Sequence, residues 1–179
     1  MKHFVISGVV AAAAFVSVGS PIQAQAYNPF QIGAAAGVAI PTGDFGNDAD
    51  LGYNVTFAVG YKPQFTPVGV RLEAAYNQMG ISGGGGNFNI PAFTGNLIFG
   101  LPIAMASPYV IGGAGLYRTN VDIQGLGSGG ENHFGFNIGG GIKVPFSSSF
   151  ETFVEARYNR VTLDQGNISF VPITVGIMF

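Results

Sequence analysis

Apolar and polar residues alternate with a period of two through most of this chain. In its last twelve residues, 168–179, the side chains of Val171, Ile173, Val175, Ile177 and Phe179 fall on one face of an extended strand, and Phe170, Pro172, Thr174, Gly176 and Met178 fall on the other. The first face is wholly apolar, and the second is small or weakly polar without a charge. A soluble sheet sets charges opposite its core face. An apolar face turned to lipid, with the other lining the inside of a small barrel, explains both halves of the pattern. Eight such segments, at about 31–40, 51–62, 68–79, 88–101, 109–122, 133–144, 150–163 and 168–179, are separated by clusters of Gly, Pro, Asn, Asp and Ser. Most meet or slightly exceed the roughly 9 to 11 residues that a tilted membrane strand needs. An even count puts both termini on one side, and the pattern predicts an all-β fold, an eight-stranded antiparallel up-and-down transmembrane β-barrel.

Several segments fix their own parity. In the second, Tyr53, Val55, Phe57, Val59 and Tyr61 share the lipid face, with a tyrosine at each end where an aromatic girdle would meet the interfaces. The sixth turns Phe134, Phe136, Ile138, Ile142 and Val144 outward and Gly135, Asn137, Gly139, Gly141 and Lys143 inward, and the fourth turns Phe93, Leu97, Phe99 and Leu101 outward. The first is diluted by Ala34 and Ala36. The fifth admits two readings: either Tyr109, Ile111 and Tyr117 face lipid, or Val110, Ala114 and Leu116 do. The tyrosine reading is preferred because it turns Arg118 inward. Pro91 and Pro172 each remove a ladder hydrogen bond and are expected to mark a bulge or a rim.

The start of the chain modifies this picture. Lys2, an apolar run from Phe4 to Val18, the breaker Gly19-Ser20-Pro21 and Ala24-Gln25-Ala26 follow the order of a secretory signal peptide. Residues 1–26 are therefore expected to be removed, with Ala24 and Ala26 forming the cleavage signal, and 27–179 to form one barrel domain. The mature chain keeps six basic and nine acidic residues, which gives no reason to expect a nucleic-acid partner. Charged residues make up 9% of the chain, against about 25% in ordinary soluble domains. Cysteine is absent, so no disulfide framework supports the exported chain.

The informative chemistry is charge inside the strands. Arg71 and Glu73 alternate with Val70, Leu72 and Ala74 in the third segment, and Glu155 and Arg157 with Val154, Ala156 and Tyr158 in the seventh. All four should face a lumen just wide enough for side chains to fill, where they form a charge network that neutralises itself. An ion pathway is the functional alternative. Other motifs carry less. Gly125-Leu-Gly-Ser-Gly-Gly130 has the spacing of a dinucleotide loop but no helix after it, and reads as a flexible loop. The run Gly83 to Gly86 lacks the Lys and Ser/Thr of a phosphate loop. Asp44, Asp48 and Asp50 share a loop without the EF-hand order, so no metal site is expected. His133 is the only histidine of the mature chain; of the candidates Ser128, Ser169 and Glu131 around it, no nucleophile and base face the same way. No catalytic residue and no cofactor is expected.

A strand ending on a terminal aromatic, the signal peptide, the alternation and the inward Arg/Glu pairs together resemble the small eight-stranded bacterial outer-membrane β-barrels of the OmpA/OmpX type, over the whole mature chain. That resemblance implies location in the cell outer membrane among lipid and lipopolysaccharide, and makes Phe179 part of the signal read by the barrel assembly machinery. It implies a non-enzymatic protein with a structural or surface-interaction role. The alternatives are a narrow channel or conduit for small, including apolar, molecules, and a lipid-modifying enzyme.

Overall fold

The computed structural model describes residues 28–101, 106–123, 127–145 and 150–179; the expected signal segment, with Ala24 and Ala26, lies outside them. The strands are β1 (Phe30–Thr42), β2 (Ala49–Tyr61), β3 (Val68–Ile81), β4 (Gly86–Gly100), β5 (Ser107–Ile123), β6 (Gly127–Pro145), β7 (Glu151–Thr162) and β8 (Asn167–Met178), with one four-residue helix, α1 (Phe45–Asp48), between β1 and β2. Each strand pairs antiparallel with the next, and β8 pairs with β1, from Gly33↔Met178 to Thr42↔Ser169, so the sheet closes without an edge. Closure matters because an exposed edge would leave backbone N–H and C=O groups unpaired in lipid. The termini share one end, here the terminal end. The β1–β2, β3–β4, β5–β6 and β7–β8 connections form the other, the loop end. Between β3 and β4 the chain reverses through Gly83, Gly84 and Gly85, all at positive φ, a turn that residues with a Cβ adopt only with strain.

Alternation along the strands becomes a two-faced wall. Phe57, Ile138 and Val175 are 65%, 62% and 61% exposed on the outside, while Asn54, Thr56, Asn96, Asn137 and Thr174 are buried within. An outer surface so apolar would be a liability in water and is what a lipid-facing band requires. Aromatic pairs mark both ends of β2: Phe30 and Tyr61 have ring centroids 5.0 Å apart at the terminal end, and Tyr53 and Tyr76 lie 6.3 Å apart toward the loop end. The sequence-derived parity holds for every strand but β5.

In β5 the preferred reading is reversed. Tyr109 and Tyr117 point into the lumen, 5% and 2% exposed, together with Ile111, while Val110 and Leu116 face out and Arg118 is exposed. Two facts outweigh the argument from Arg118. The hydroxyls find polar partners inside, and β6 presents glycines where the rings lie. A Cβ on Gly141 would come within 2.6 Å of Tyr109 Oη, and one on Gly135 within 2.8 Å of the Tyr117 ring.

The prolines interrupt the ladder without shifting it. Pro91 keeps its place opposite Tyr76, but the β4–β5 pairs at 90 and 91 are missing; Pro172 pairs with Ala39, but the β7–β8 pairs at 171 and 172 are missing, and the register on either side is the same. Neither is a bulge. The shift occurs instead in β2–β3, between Ala49 and Gly52, beside α1. The glycine-rich stretch expected to be a loop is in part strand: Gly127 to Gly130 extend β6 along β5, opposite Asn120 to Ile123.

Candidate functional site: the lumen

Arg71 and Glu73 on β3 face Glu155 and Arg157 on β7 across the barrel. Odd-numbered strands run in the same direction, and the charges appear in opposite order on the two, so each arginine is level with a glutamate. Arg71 Nη2 donates to Glu155 Oε2 at 2.5 Å, and Arg157 Nη1 donates to Glu73 Oε2 at 2.5 Å. Along each strand, Arg71 Nε lies 2.7 Å from Glu73 Oε1 and Arg157 Nε 2.8 Å from Glu155 Oε1. The Arg71–Glu73 contact is ionic, without the alignment of a hydrogen bond. The result is a closed ring of four alternating charges, each touching two of opposite sign. Such a ring tolerates burial because the cost of removing each ion from water is offset by two partners and by further hydrogen bonds. Those come from Tyr109 Oη, which donates to Glu155 Oε2 at 2.7 Å, and from Asn96, whose Nδ2 donates to Glu73 Oε2 at 3.0 Å while its Oδ1 accepts from Asn137 Nδ2 at 2.8 Å. The Phe153 ring lies 5.6 Å from Arg71 Cζ.

The lumen on either side of this ring is layered. Toward the loop end, Tyr117 Oη donates to Asn159 Oδ1 and Asn54 pairs with Asn77. Beyond them Met79, Ile90, Val161, Ile168 and Phe170 form an apolar layer, closed by Phe45 of α1, whose ring meets Phe88 edge-on. Toward the terminal end Ala35, Ala58, Phe153 and Met178 pack together. Among the described residues the charge ring is flanked by two small cavities. One of about 30 Å³ lies on the terminal side, lined by Lys62, Arg71, Tyr109 and Lys143 among others, and one of about 20 Å³ on the loop side, lined by Asn54, Glu73, Tyr117, Arg157 and Asn159 among others. Each has room for one or two waters.

Of the other residues singled out from sequence, Ser128 has its side chain outside the described residues, and the rest do not converge on a site. His133 lies in an open hollow at the loop end, its Nε2 4.0 Å from Glu131 Oε2, while Ser169, on β8, accepts from the outward Tyr158 hydroxyl at 2.9 Å. Of Asp44, Asp48 and Asp50, the last accepts from Ser82 Oγ at 3.0 Å, and among the described residues no three acidic or histidine side chains are grouped to hold a metal. Phe179 is exposed on the outer face, its backbone joined to Ile32 by two hydrogen bonds and its ring 5.9 Å from Phe150. Sequence reasoning missed Tyr109, Tyr117 and the Phe45 closure. The first two were signalled by the inward glycines of β6, which leave room that a neighbouring strand must fill.

Comparison with known proteins places this geometry. Residues 9–179 match the family described as outer membrane protein beta-barrel domain. No curated protein sequence matches. Solved structures share the fold at low identity. Neisserial surface protein A matches with a TM-score of 0.69 and 16% identity, over 84% of this chain and 96% of that one. The outer membrane protein OprG of Pseudomonas aeruginosa matches with a TM-score of 0.53 and 14% identity, over 83% and 95%. The outer membrane enzyme PagL matches with a TM-score of 0.50 and 17% identity, over 83% and 98%. Since one of these similar barrels is an enzyme, the fold alone does not decide between catalysis and other roles.

Proposed function

The chain belongs to the outer membrane protein beta-barrel domain family, and from that premise we propose that it is a non-enzymatic barrel whose lumen is sealed, serving a structural or surface-interaction role among outer-membrane lipid and lipopolysaccharide. The carrying observation is the ring of Arg71, Glu73, Glu155 and Arg157, which lies buried between two small, separate cavities. An ion crossing it would have to break contacts between buried opposite charges in a narrow lumen. Planar-bilayer recordings of the purified mature protein should therefore be silent. Steady, well-resolved conductance would overturn the seal and favour the channel. Catalysis does not enter this reading, because His133 at the loop end and the outward Ser169 do not meet.

Export completes the reading: residues 1–26 are removed, and Phe179 acts both as an interfacial anchor and as part of the signal recognised by the barrel assembly machinery. Cell fractionation with N-terminal sequencing checks both points. The wild type should appear in outer membranes with Tyr27 as its first residue, and a chain lacking Phe179 should accumulate there severalfold less. Recovery of the mature chain as a soluble periplasmic protein, or normal insertion without Phe179, would refute the corresponding part.

A further inference from the structure

The lining of the terminal-side cavity is lopsided in charge. Gln31, Lys62, Arg71, Ser107, Tyr109 and Lys143 are among the polar residues that line it, and of the described lining residues three are basic and none is acidic. Arg71 is 1% exposed; its Nη2 donates to Glu155, its Nε makes only an ionic contact with Glu73, and its Nη1 is a buried donor without a hydrogen-bond partner among the described residues. A guanidinium nitrogen left without an acceptor is costly at this depth. The nearby Phe153 ring, 5.6 Å from Arg71 Cζ, offers a π face but no lone pair. Lys143 reaches the same space from β6, with its Nζ 3.5 Å from Glu151 and 5.7 Å from the Tyr109 ring centroid.

We propose that this vestibule is a binding site for a small inorganic anion of chloride size, held between the Arg71 guanidinium and the Lys143 ammonium. The cavity volume of about 30 Å³ suits a single such ion. Burial strengthens the attraction, because charges in a low-dielectric pocket are poorly screened. The Arg/Glu ring closes the inner side, so the ion enters and leaves by the terminal end and does not pass through. The site thus goes beyond the sealed-barrel reading and adds binding without transport.

The mature full-length protein in detergent provides the test, with chloride and bromide as probes. Crystals containing sodium bromide should show an anomalous peak within hydrogen-bonding distance of Arg71 Nη1 or Lys143 Nζ. Sodium chloride should raise the thermal unfolding midpoint saturably above sodium gluconate at equal ionic strength. Lys143→Met should weaken the half-saturating chloride concentration about tenfold, the effect of losing one charge-assisted contact. A map without bromide in the vestibule, or a chloride effect equal to that of gluconate, would overturn the site, as would a chloride effect undiminished in the variant. If Lys143→Met does not fold, the wild-type bromide map still decides. Bilayer conductance reads the seal separately, so failure of one proposal is distinguishable from failure of the other.

Discussion

Glu155→Ala should lower the stability of the barrel by about 3 to 5 kcal/mol, the range for removing one partner from a buried ion pair. The loss falls on three neighbours at once: Arg71 Nη2 and Arg157 Nε lose their carboxylate, and the Tyr109 hydroxyl loses its acceptor. Water in the flanking cavities can solvate part of the uncompensated charge, which favours the lower end of the range. The unfolding midpoint in detergent measures the effect. The double change Glu155→Ala with Arg71→Ala should be less damaging than the two singles added, by about 0.5 to 3 kcal/mol, because it removes both ends of one contact. Full additivity would show that the contact is not energetically coupled.

The second large effect is expected at a position without a side chain. Gly141 sits opposite Tyr109 in the β5–β6 ladder, and a Cβ there would meet both the Val154 carbonyl and the Tyr109 ring, 2.7 Å from its Cζ. Gly141→Val must therefore displace Tyr109 from the lumen or distort the wall. Overpacking of this kind costs about 1 to 3 kcal/mol, and the lost hydrogen bond to a charged acceptor adds about 1.5 to 3 kcal/mol. Tyr109→Phe, which removes only the hydroxyl, should cost the second part alone. Thermal unfolding of the two variants side by side separates the terms. Equal midpoints for both would show that the glycine is not there to accommodate the ring.

The course of the chain was legible because lipid imposes one rule on every strand. The outward faces of β2, β4, β6 and β8 could be read from their own residues, and the strand bounds mostly agree within a few positions. Where the reading failed, the deciding partner lay on another strand. Tyr109 and Tyr117 are amphipathic and suit a membrane interface as well as a polar lumen; the glycines that β6 sets beside them and the polar partners that β7 offers their hydroxyls select the lumen. Arg118 misled because a long basic side chain near the loop end can stay in water without facing inward. The early start of β6 was hidden by glycine and serine, which carry no alternation, yet β5 continues far enough to pair with them. The inward parity of Arg71, Glu73, Glu155 and Arg157 was readable within their segments, but the cross-lumen contacts depend on the stagger of eight strands, which no single segment contains. Phe45 lies in a loop segment and has no period to place it.

The two cross-lumen contacts join residues 84 positions apart on strands that are not neighbours in the sheet. Neighbouring strands can zip one after another while the sheet is still open, but these charges cannot meet until it has curled and β8 has found β1. They act as a latch fastened at the end of assembly. An interaction formed so late does little to speed the chain toward its closed state and much to slow its escape. The charge ring should therefore set chiefly the lifetime of the barrel once closed, a kinetic quantity that suits a protein lodged beyond the reach of cytoplasmic refolding.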